Sequence, residues 1–313
     1  MLAWPRCPRS RLIAAHSRNC PRDTVGKIRA RANPVRIHFL GVRGSTPAPG
    51  SEFVRYGGFT SCVAIEHDDD AVPTLILDAG TGIRRFSALF GDRAFDGTIL
   101  LSHLHWDHTH GLPFFRAGDR EGSRVSVMVP DQLDGLSALE VLARGMSPPH
   151  FPISPDQLRG QWTFTNLQPG TQEFERFTVT TVEIPHKGGR TFGYRVDDGH
   201  SVLAYMSDHC PSDLGPGPDG WGEYHAAALT LCRGADVLIH DASLVEEELA
   251  EEAFFGHAAA EYAVELGRRS GVRQVVLFHH KPVRTDNELD AIAKRFGPEP
   301  QVLIAAESMV LEI

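Results

Sequence analysis

Short apolar runs, each followed by glycines or polar residues, recur along the chain from residue 35 onward. Runs of this kind, whether alternating or continuously apolar, predict β-strands. The first covers residues 35–40, and residues 61–66 and 74–77 follow it. Further strands are predicted at residues 98–101, 124–129, several within 161–184, 191–196, 199–206, 236–239, 274–278 and 302–305.

Longer segments between these strands have helical spacing of apolar residues, at residues 82–90, 131–144, 222–232, 256–269 and 285–295. The second of these segments places four apolar residues on one face, namely Leu133, Leu136, Leu139 and Ala143. The last begins with a capping box formed by Thr285 and Glu288. Strands that alternate with helices predict an α/β fold.

Four metal-ligating side chains directly follow the predicted strand at residues 98–101, namely His103, His105, Asp107 and His108. Two histidines that are two residues apart point the same way in an extended loop, whereas Asp107 and His108 can turn towards a second point. Imidazole and carboxylate ligands suit zinc, and also manganese or iron. The sequence therefore predicts a metal site at the carboxyl end of a strand, where open α/β sheets place their ligands.

This stretch resembles the His-x-His-x-Asp-His signature of the metallo-β-lactamase-fold hydrolases, with Trp106 where the family usually has a small residue. Its continuation through Gly111-Leu112-Pro113 is similar to a bacterial branch that neighbours ribonuclease Z and the phosphodiesterases. The resemblance covers residues 35–313 and implies one hydrolase domain. The implied fold is a four-layer αβ/βα sandwich with the site where the two sheets meet.

The resemblance also implies the remaining ligands. His186 precedes a Gly-Tyr-Arg strand, Asp208 stands where the family has a metal-bridging aspartate, and His279 follows the last predicted central strand, with His280 as the alternative. One metal is then held by His103, His105 and His186, and the other by Asp107, His108 and His279, with Asp208 between them. We expect two divalent ions, with zinc first and manganese or iron as alternatives.

Several further residues are implied to support the site. Asp78, in an Asp-x-Gly turn, would hold a ligand histidine, although a helix N-cap role is compatible with its position. The segment from His240 to Ser243 resembles the His-Glu-Ala-Thr motif of ribonuclease Z, so His240 is the predicted general acid beside Asp241. His257 would orient a phosphate oxygen, although alanines replace the hydroxyl residues that usually follow it.

Three residues and one turn are predicted with less specific roles. Asp107 counts as a catalytic residue as well as a ligand, and His280 as a supporting residue. His209 is expected at the surface or behind the ligands. The glycine-rich turn at residues 41–47 resembles a loop that lies beside the metal site in the ribonuclease Z branch, although a plain turn is an equal alternative.

Charge is unevenly distributed along the 313 residues. The first 34 residues carry eight Lys/Arg and one acidic residue, a charge of +7, which leaves −16 for the remainder of a chain whose net charge is −9. We expect this basic extension to be disordered, with a transit peptide or a nucleic-acid tail as alternatives. The acidic body disfavours a nucleic-acid partner.

The cysteines and the apolar runs indicate where in the cell the protein is expected. The five cysteines form no Cys-x-x-Cys pair, which favours a reducing compartment and hence the cytoplasm. No apolar run approaches the ~18 residues of a membrane span, so no membrane partner is expected. A homodimer is an option that the family resemblance implies.

The predicted function is hydrolysis of a small or cyclic phosphodiester, or a similar anionic substrate. Two ions ~3.5–4 Å apart can hold a bridging hydroxide for attack on phosphorus. Only residues 187–207 separate His186 from Asp208, where ribonuclease Z inserts its tRNA-binding arm. Three alternatives remain open: ribonuclease Z-like tRNA 3′ processing, lactone or thioester hydrolysis, and a non-enzymatic metal- or nucleotide-sensing module.

Overall fold

Two seven-stranded sheets dominate the computed structural model, which describes residues 34–313. The first sheet contains β1 (Val35–Gly41), β2 (Cys62–His67), β3 (Leu75–Leu77), β4 (Asp96–Leu100), β5 (Arg124–Pro130) and β6 (Gln161–Leu167). The second contains β7 (Gly170–Phe174), β8 (Phe177–Ile184), β9 (Thr191–Asp197), β10 (Val202–Met206), β11 (Val237–Asp241), β12 (Gln274–Phe278) and β13 (Gln301–Ile304). The predicted disordered extension falls on residues that lie outside the described ones.

The two sheets repeat one pattern of strand pairing. In the first, β1–β2 and β2–β3 are antiparallel and β3 to β6 are parallel. In the second, β8–β9 and β9–β10 are antiparallel and β10 to β13 are parallel. Each sheet gains one antiparallel edge strand, β7 on β8 and β14 (Val310–Glu312) on β1. The topology thus supports two copies of one strand-and-helix unit, which residue identity does not show.

Helices cover the outer faces of both sheets. They are α1 (Phe86–Phe90), α2 (Trp106–Thr109), α3 (Ala138–Ala143), α4 (Ala226–Cys232), α5 (Leu249–Glu252), α6 (Ala260–Ser270) and α7 (Asp286–Ala293). One apolar core lies between the sheets, where Phe39 and Phe278 meet, and two more lie under the helices on either side. This arrangement confirms the predicted α/β sandwich of four layers. Each of the helices between residues 34 and 313 is too short or too polar to cross a membrane.

The predicted helix at residues 131–144 is wrong in its first half, because α3 begins only after Ser137. Asp131 Oδ1 accepts a hydrogen bond from the Leu133 amide at 2.8 Å, and Leu133 adopts a left-handed φ of 58° with 70% of its surface exposed. Such local side-chain bonds compete with helical ones. Ser137 and Glu140 then form a capping box that starts the helix. The short edge strand β14 was not predicted at all.

Candidate metal centre

Side chains from three strand ends converge on a first group of possible metal ligands. His103 and His105 lie in the loop after β4, His186 follows β8, and Asp208 follows β10. His186 Nε2 is 3.2 Å from His105 Nδ1 and 3.5 Å from Asp208 Oδ2. His103 Nε2 is 3.7 Å from the same Asp208 oxygen. The first predicted ligand group is therefore assembled in space.

A second group lies on the other side of Asp208. It contains Asp107 and His108, from the short helix α2, and His279, which directly follows β12. His108 Nε2 lies 3.2 Å from Asp107 Oδ2 and 3.3 Å from His279 Nε2. His279 Nε2 lies 3.0 Å from Asp107 Oδ2. Both histidine nitrogens also face Asp208 Oδ1, at 3.0 and 3.2 Å.

Asp208 is shared by the two groups, one oxygen to each. Oδ2 faces His103 and His186, whereas Oδ1 faces His108 and His279. The side chain is almost completely buried, and His103 Nε2, which faces it, has no hydrogen-bond partner among the described residues. Buried polar atoms without partners are rare and call for an explanation.

The residues fit two tetrahedral metal sites. Zinc–nitrogen bonds of about 2.0–2.1 Å place neighbouring tetrahedral ligand atoms roughly 3.3 Å apart, which matches the separations of 3.0–3.7 Å observed here. Two ring nitrogens that face each other at this distance are stabilised most when both bind the same cation. Each group also combines imidazole with carboxylate, a donor set that zinc, manganese and iron accept.

Burial and mutual charge set the protonation of these side chains. Burial lowers the pKa values of His103, His105 and His186, so their rings are neutral and able to coordinate at neutral pH. For His108, burial opposes charging, but the carboxylates of Asp107, Asp208 and Asp78 raise its pKa well above the usual value. A proton therefore occupies the second group when no metal is bound, and metal and proton compete there.

Asp78, which follows β3, contacts the second group from behind. Its Oδ2 lies 2.8 Å from His108 Nδ1 and accepts hydrogen bonds from the hydroxyls of Ser102 and Tyr205. Its Oδ1 accepts the Ser102 amide at 2.7 Å. Asp78 itself adopts a left-handed φ of 60°, a conformation that costs about 1–3 kcal/mol in a non-glycine residue and needs such surrounding bonds. These contacts orient the His108 ring.

The two consecutive histidines after β12 point in opposite directions. His279 has a left-handed φ of 58° and joins the second group, whereas His280 Nε2 contacts the carbonyl oxygen of Ala305 at 2.8 Å. His279 is therefore the residue placed for a ligand role, and His280 does not support the group directly. The glycine turn lies against this ligand: a Cβ on Gly44 would come within 2.3 Å of the His279 ring.

His257 and Asp241 form a charged pair at the edge of the second group. His257 Nδ1 is 3.0 Å from Asp241 Oδ2 and 3.8 Å from Asp208 Oδ2. Although burial opposes protonation, these carboxylates raise the pKa of His257 to about 9. The Ala258 amide also donates to Asp241 Oδ2, so a backbone hydrogen bond ties the turn after His257 to Asp241.

His240 does not face the cavity at the site. It is fully buried, with Nδ1 2.7 Å from the Asp241 carbonyl oxygen and Nε2 3.0 Å from His209 Nδ1. Burial lowers its pKa, so the ring is neutral and has no proton free for a substrate. His209 is also fully buried, which excludes the surface alternative expected for it, and its other nitrogen contacts His225 at 2.8 Å. Sequence spacing gave no sign of this chain of three histidines.

The two ligand groups open into a cavity of about 640 Å³. Its lining includes Asp107, His186, Asp208 and His257 from the candidate site. Ser45 also lines it, and its amide donates to Asp107 Oδ2 at 2.6 Å. The predicted turn at residues 41–47 thus lies beside the candidate metal ligands.

The chain belongs to the family described as the Beta-lactamase superfamily domain, which matches residues 74–280. With its fold and paired ligand groups, it is a metallo-β-lactamase-fold hydrolase of the branch that includes ribonuclease Z. It is 22% identical to ribonuclease Z of Gemmatimonas aurantiaca over 321 positions, covering 90% of this chain and 96% of the relative.

Two solved structures share the fold. A diphosphatase from the PhnP family has a TM-score of 0.64 at 16% identity, covering 89% of this chain and 98% of that one. The short form of human tRNase Z has a TM-score of 0.59 at 19% identity, covering 88% of this chain and 98% of that one. Both are similar to this chain along nearly their whole length.

The prediction that disfavoured a nucleic-acid partner is wrong, because the chain is related over most of its length to proteins named ribonuclease Z. It rested on the net charge of the body. Net charge describes the average field, whereas substrate capture depends on the local field at the site.

Proposed function

We propose that this protein is a phosphodiesterase that depends on two divalent metal ions. The observation that carries the proposal is the position of Asp208, whose two oxygens face two separate ligand groups. His103, His105 and His186 would hold one ion, and Asp107, His108 and His279 the other. When bound, the pair would supply an activated water nucleophile and positive charge for the pentacoordinate transition state.

His257 is the better proton donor for the leaving oxygen. It lines the cavity, which His240 does not, and Asp241 holds its ring in place from Nδ1. Its raised pKa, about 9, keeps it protonated at neutral pH. A charged imidazole can both stabilise and protonate an oxygen that leaves phosphorus, so His257 takes over the role first expected of His240.

The site charge favours an anionic diester. Two divalent cations contribute four positive charges, and the carboxylates of Asp107 and Asp208 remove two of them. These charges lie at the wall of the cavity, so the local field at the site is positive although the net charge of the chain is −9. A singly charged phosphodiester is attracted to this field, whereas a neutral lactone is not. Phosphodiester hydrolysis is therefore the favoured reaction, and lactone hydrolysis is the less favoured one.

Two kinds of phosphodiester are candidates. A small or cyclic diester is supported by the segment between His186 and Asp208, which consists of β9, β10 and their turns. RNA is the second candidate, supported by the name of the Gemmatimonas relative. Both require the same attack on phosphorus at the same metal centre.

The test is a substrate panel on protein with defined zinc or manganese content. Bis(p-nitrophenyl) phosphate, a cyclic nucleotide, a precursor tRNA and a lactone would be compared at one protein concentration, with Asp208→Asn as the matched inactive variant. We expect turnover of at least one phosphodiester that Asp208→Asn abolishes. Turnover of the lactone alone would contradict the proposal.

A further inference from the structure

A second cavity, of about 840 Å³, adjoins the metal cavity. Within residues 34–313, the two share Leu104 and Trp106 and no other lining residue. Trp106 belongs to the ligand-bearing helix α2, between His105 and Asp107, yet 69% of its surface is exposed. A group attached to a phosphorus at the metal centre can therefore reach this second cavity past one aromatic side chain.

Exposed aromatic faces line the second cavity. The ring of Trp106 stacks on His110 with centroids 5.1 Å apart and planes inclined by 22°. Phe114 is 54% exposed and meets Phe151 edge to face at 5.9 Å. Large exposed aromatic side chains beside a catalytic site, where burial would otherwise be favoured, mark a surface that a ligand covers.

Polar groups lie at the rim of the same cavity. Arg144 and Asp134, both lining residues, form an exposed ion pair at 3.3 Å. They offer hydrogen-bond donors and acceptors beside flat apolar faces, a combination that a heteroaromatic ring uses and an alkyl chain does not. The volume lies within the roughly 300–1,000 Å³ of small-molecule sites.

We propose that this cavity is a substrate subsite that takes a nucleobase, stacked on Trp106 and Phe114, while its phosphodiester lies at the metal centre. The proposal rests on the proposed phosphodiesterase function and assigns the base of the substrate to this cavity. Stacking tolerates any base, because every base has a π face. The subsite would therefore serve a small nucleotide and the end of an RNA equally.

The test compares three diesters that share one leaving group and differ in the group retained on phosphorus. They are thymidine 5′-(p-nitrophenyl phosphate), hexyl p-nitrophenyl phosphate and methyl p-nitrophenyl phosphate. We expect metal-loaded wild-type protein to prefer the thymidine diester in kcat/KM. Because one base stacked on an aromatic residue is stabilised substantially, Phe114→Ala and Trp106→Ala should each reduce that preference by about 5- to 100-fold.

Leu214→Ala is the control variant. Leu214 is an apolar residue that is 52% exposed, and it lines neither cavity. It should leave the preference unchanged. A preference that survives both aromatic substitutions would overturn the subsite. A different outcome is that the hexyl diester shows as large an increase in kcat/KM over the methyl diester as the thymidine diester does. If Phe114→Ala removed that increase, the cavity would take an alkyl chain and not a base.

A binding measurement separates this proposal from the proposed function. Thymidine 5′-monophosphate and methyl phosphate would be titrated calorimetrically into metal-loaded wild type and Phe114→Ala. Tighter binding of the nucleotide that Phe114→Ala removes would uphold the subsite, even if wild type hydrolysed none of the diesters and the proposed function failed. Equal binding of both ligands to wild type would overturn the subsite, whatever the protein hydrolyses.

Discussion

The two halves of the sandwich repeat one strand order but distribute their ligand residues differently. The first half places four of them in and beside α2, directly after β4. The second half places one after each of three strands, with His186 after β8, Asp208 after β10 and His279 after β12. A continuous motif can be recognised in a sequence, whereas scattered residues acquire meaning only when the strand ends meet at one edge.

Asp208 and Asp78 occupy matching positions in the two halves, since each follows the third strand of its unit, β10 or β3. Asp208 lies between the two ligand groups, whereas Asp78 lies behind His108 and contacts no other ligand through its carboxylate. The same topological position thus places one aspartate among the candidate metal ligands and the other behind one of them. Substitutions at these positions test the comparison directly.

Asp208→Asn should have the largest effect. Loss of the shared carboxylate removes a ligand from both groups and about 5–6 kcal/mol of transition-state stabilisation, on the order of a 10⁴-fold or larger loss in kcat. Metal content, measured by atomic emission, should fall by at least one ion per chain. Full activity with unchanged metal content would remove Asp208 from the site, and circular dichroism would establish that the variant is folded.

His257→Gln should lower the rate by roughly 10²–10⁴-fold on a diester with a poor leaving group, because a proton donor is lost. On p-nitrophenyl diesters, whose leaving group hardly needs a proton, the loss should be smaller. His200→Gln, at an exposed histidine between β9 and β10, is the matched control. An equal loss on both substrates would assign His257 a structural role.

The pH profile sharpens the same assignment. The pKa of His257 is raised to about 9, so the donor loses its proton, and the rate on a poor leaving group falls, as the pH rises through that value. Bound cations lower the pKa, which moves this limb of the profile towards neutrality. The limb should be absent in His257→Gln. A profile that keeps it would identify another group as the acid.

Asp78→Asn should have a smaller effect than Asp208→Asn, because it alters the orientation of His108 and leaves every ligand in place. Substitution of residues that orient a metal ligand typically costs about 10–100-fold in metal affinity. Competition with a chromophoric chelator would measure it. If Asp78→Asn matched Asp208→Asn in both metal content and kcat, the two positions would be equivalent and the contrast between the halves would fail.

His280→Gln should have the smallest effect, and only on acid stability. Burial lowers the pKa of His280 to about 3, so the folded protein resists a proton that the unfolded chain accepts below its ordinary value near 6.5. Its contribution to stability is complete above that value and is lost as the pH falls towards 3. Thermal unfolding of metal-free protein should show a shallower acid decline in the variant. An unchanged slope would assign the decline to other groups.

The elements best predicted from sequence are those whose local signals agree with their burial. The strand at residues 274–278 has the predicted bounds, because a continuous apolar run sits in the middle of a sheet. Thr285 caps α7 as its capping box predicts. The predicted start of α3 is too early because local hydrogen bonds around Asp131 favour turns over the helix that the apolar spacing indicates. The strand β14 could not be predicted because three residues are too few to show an alternating pattern.

The candidate site was predicted unevenly for a related reason. The motif around His103 and the resemblance of Asp208 and His279 to family positions are properties of the sequence. The direction of a side chain at a strand end is not, since it depends on backbone angles and neighbours. His240 and His257 stand 17 positions apart, and only the structure reveals that Asp241 brings His257 to the cavity while His240 turns into the core.

The connection between the sheets, Gln168 and Pro169 between β6 and β7, divides the chain so that neither piece holds all residues of either ligand group around Asp208. The carboxyl-terminal piece would also supply β14 to the sheet of the other. Two fragments cut at this connection would therefore reassociate through a shared sheet as well as through shared ligands. At the proposed two-metal centre, metal would bind the assembled pair more tightly than either fragment, so free metal concentration would control fragment affinity by mass action. The same coupling would link metal supply to the resistance of the intact chain to unfolding.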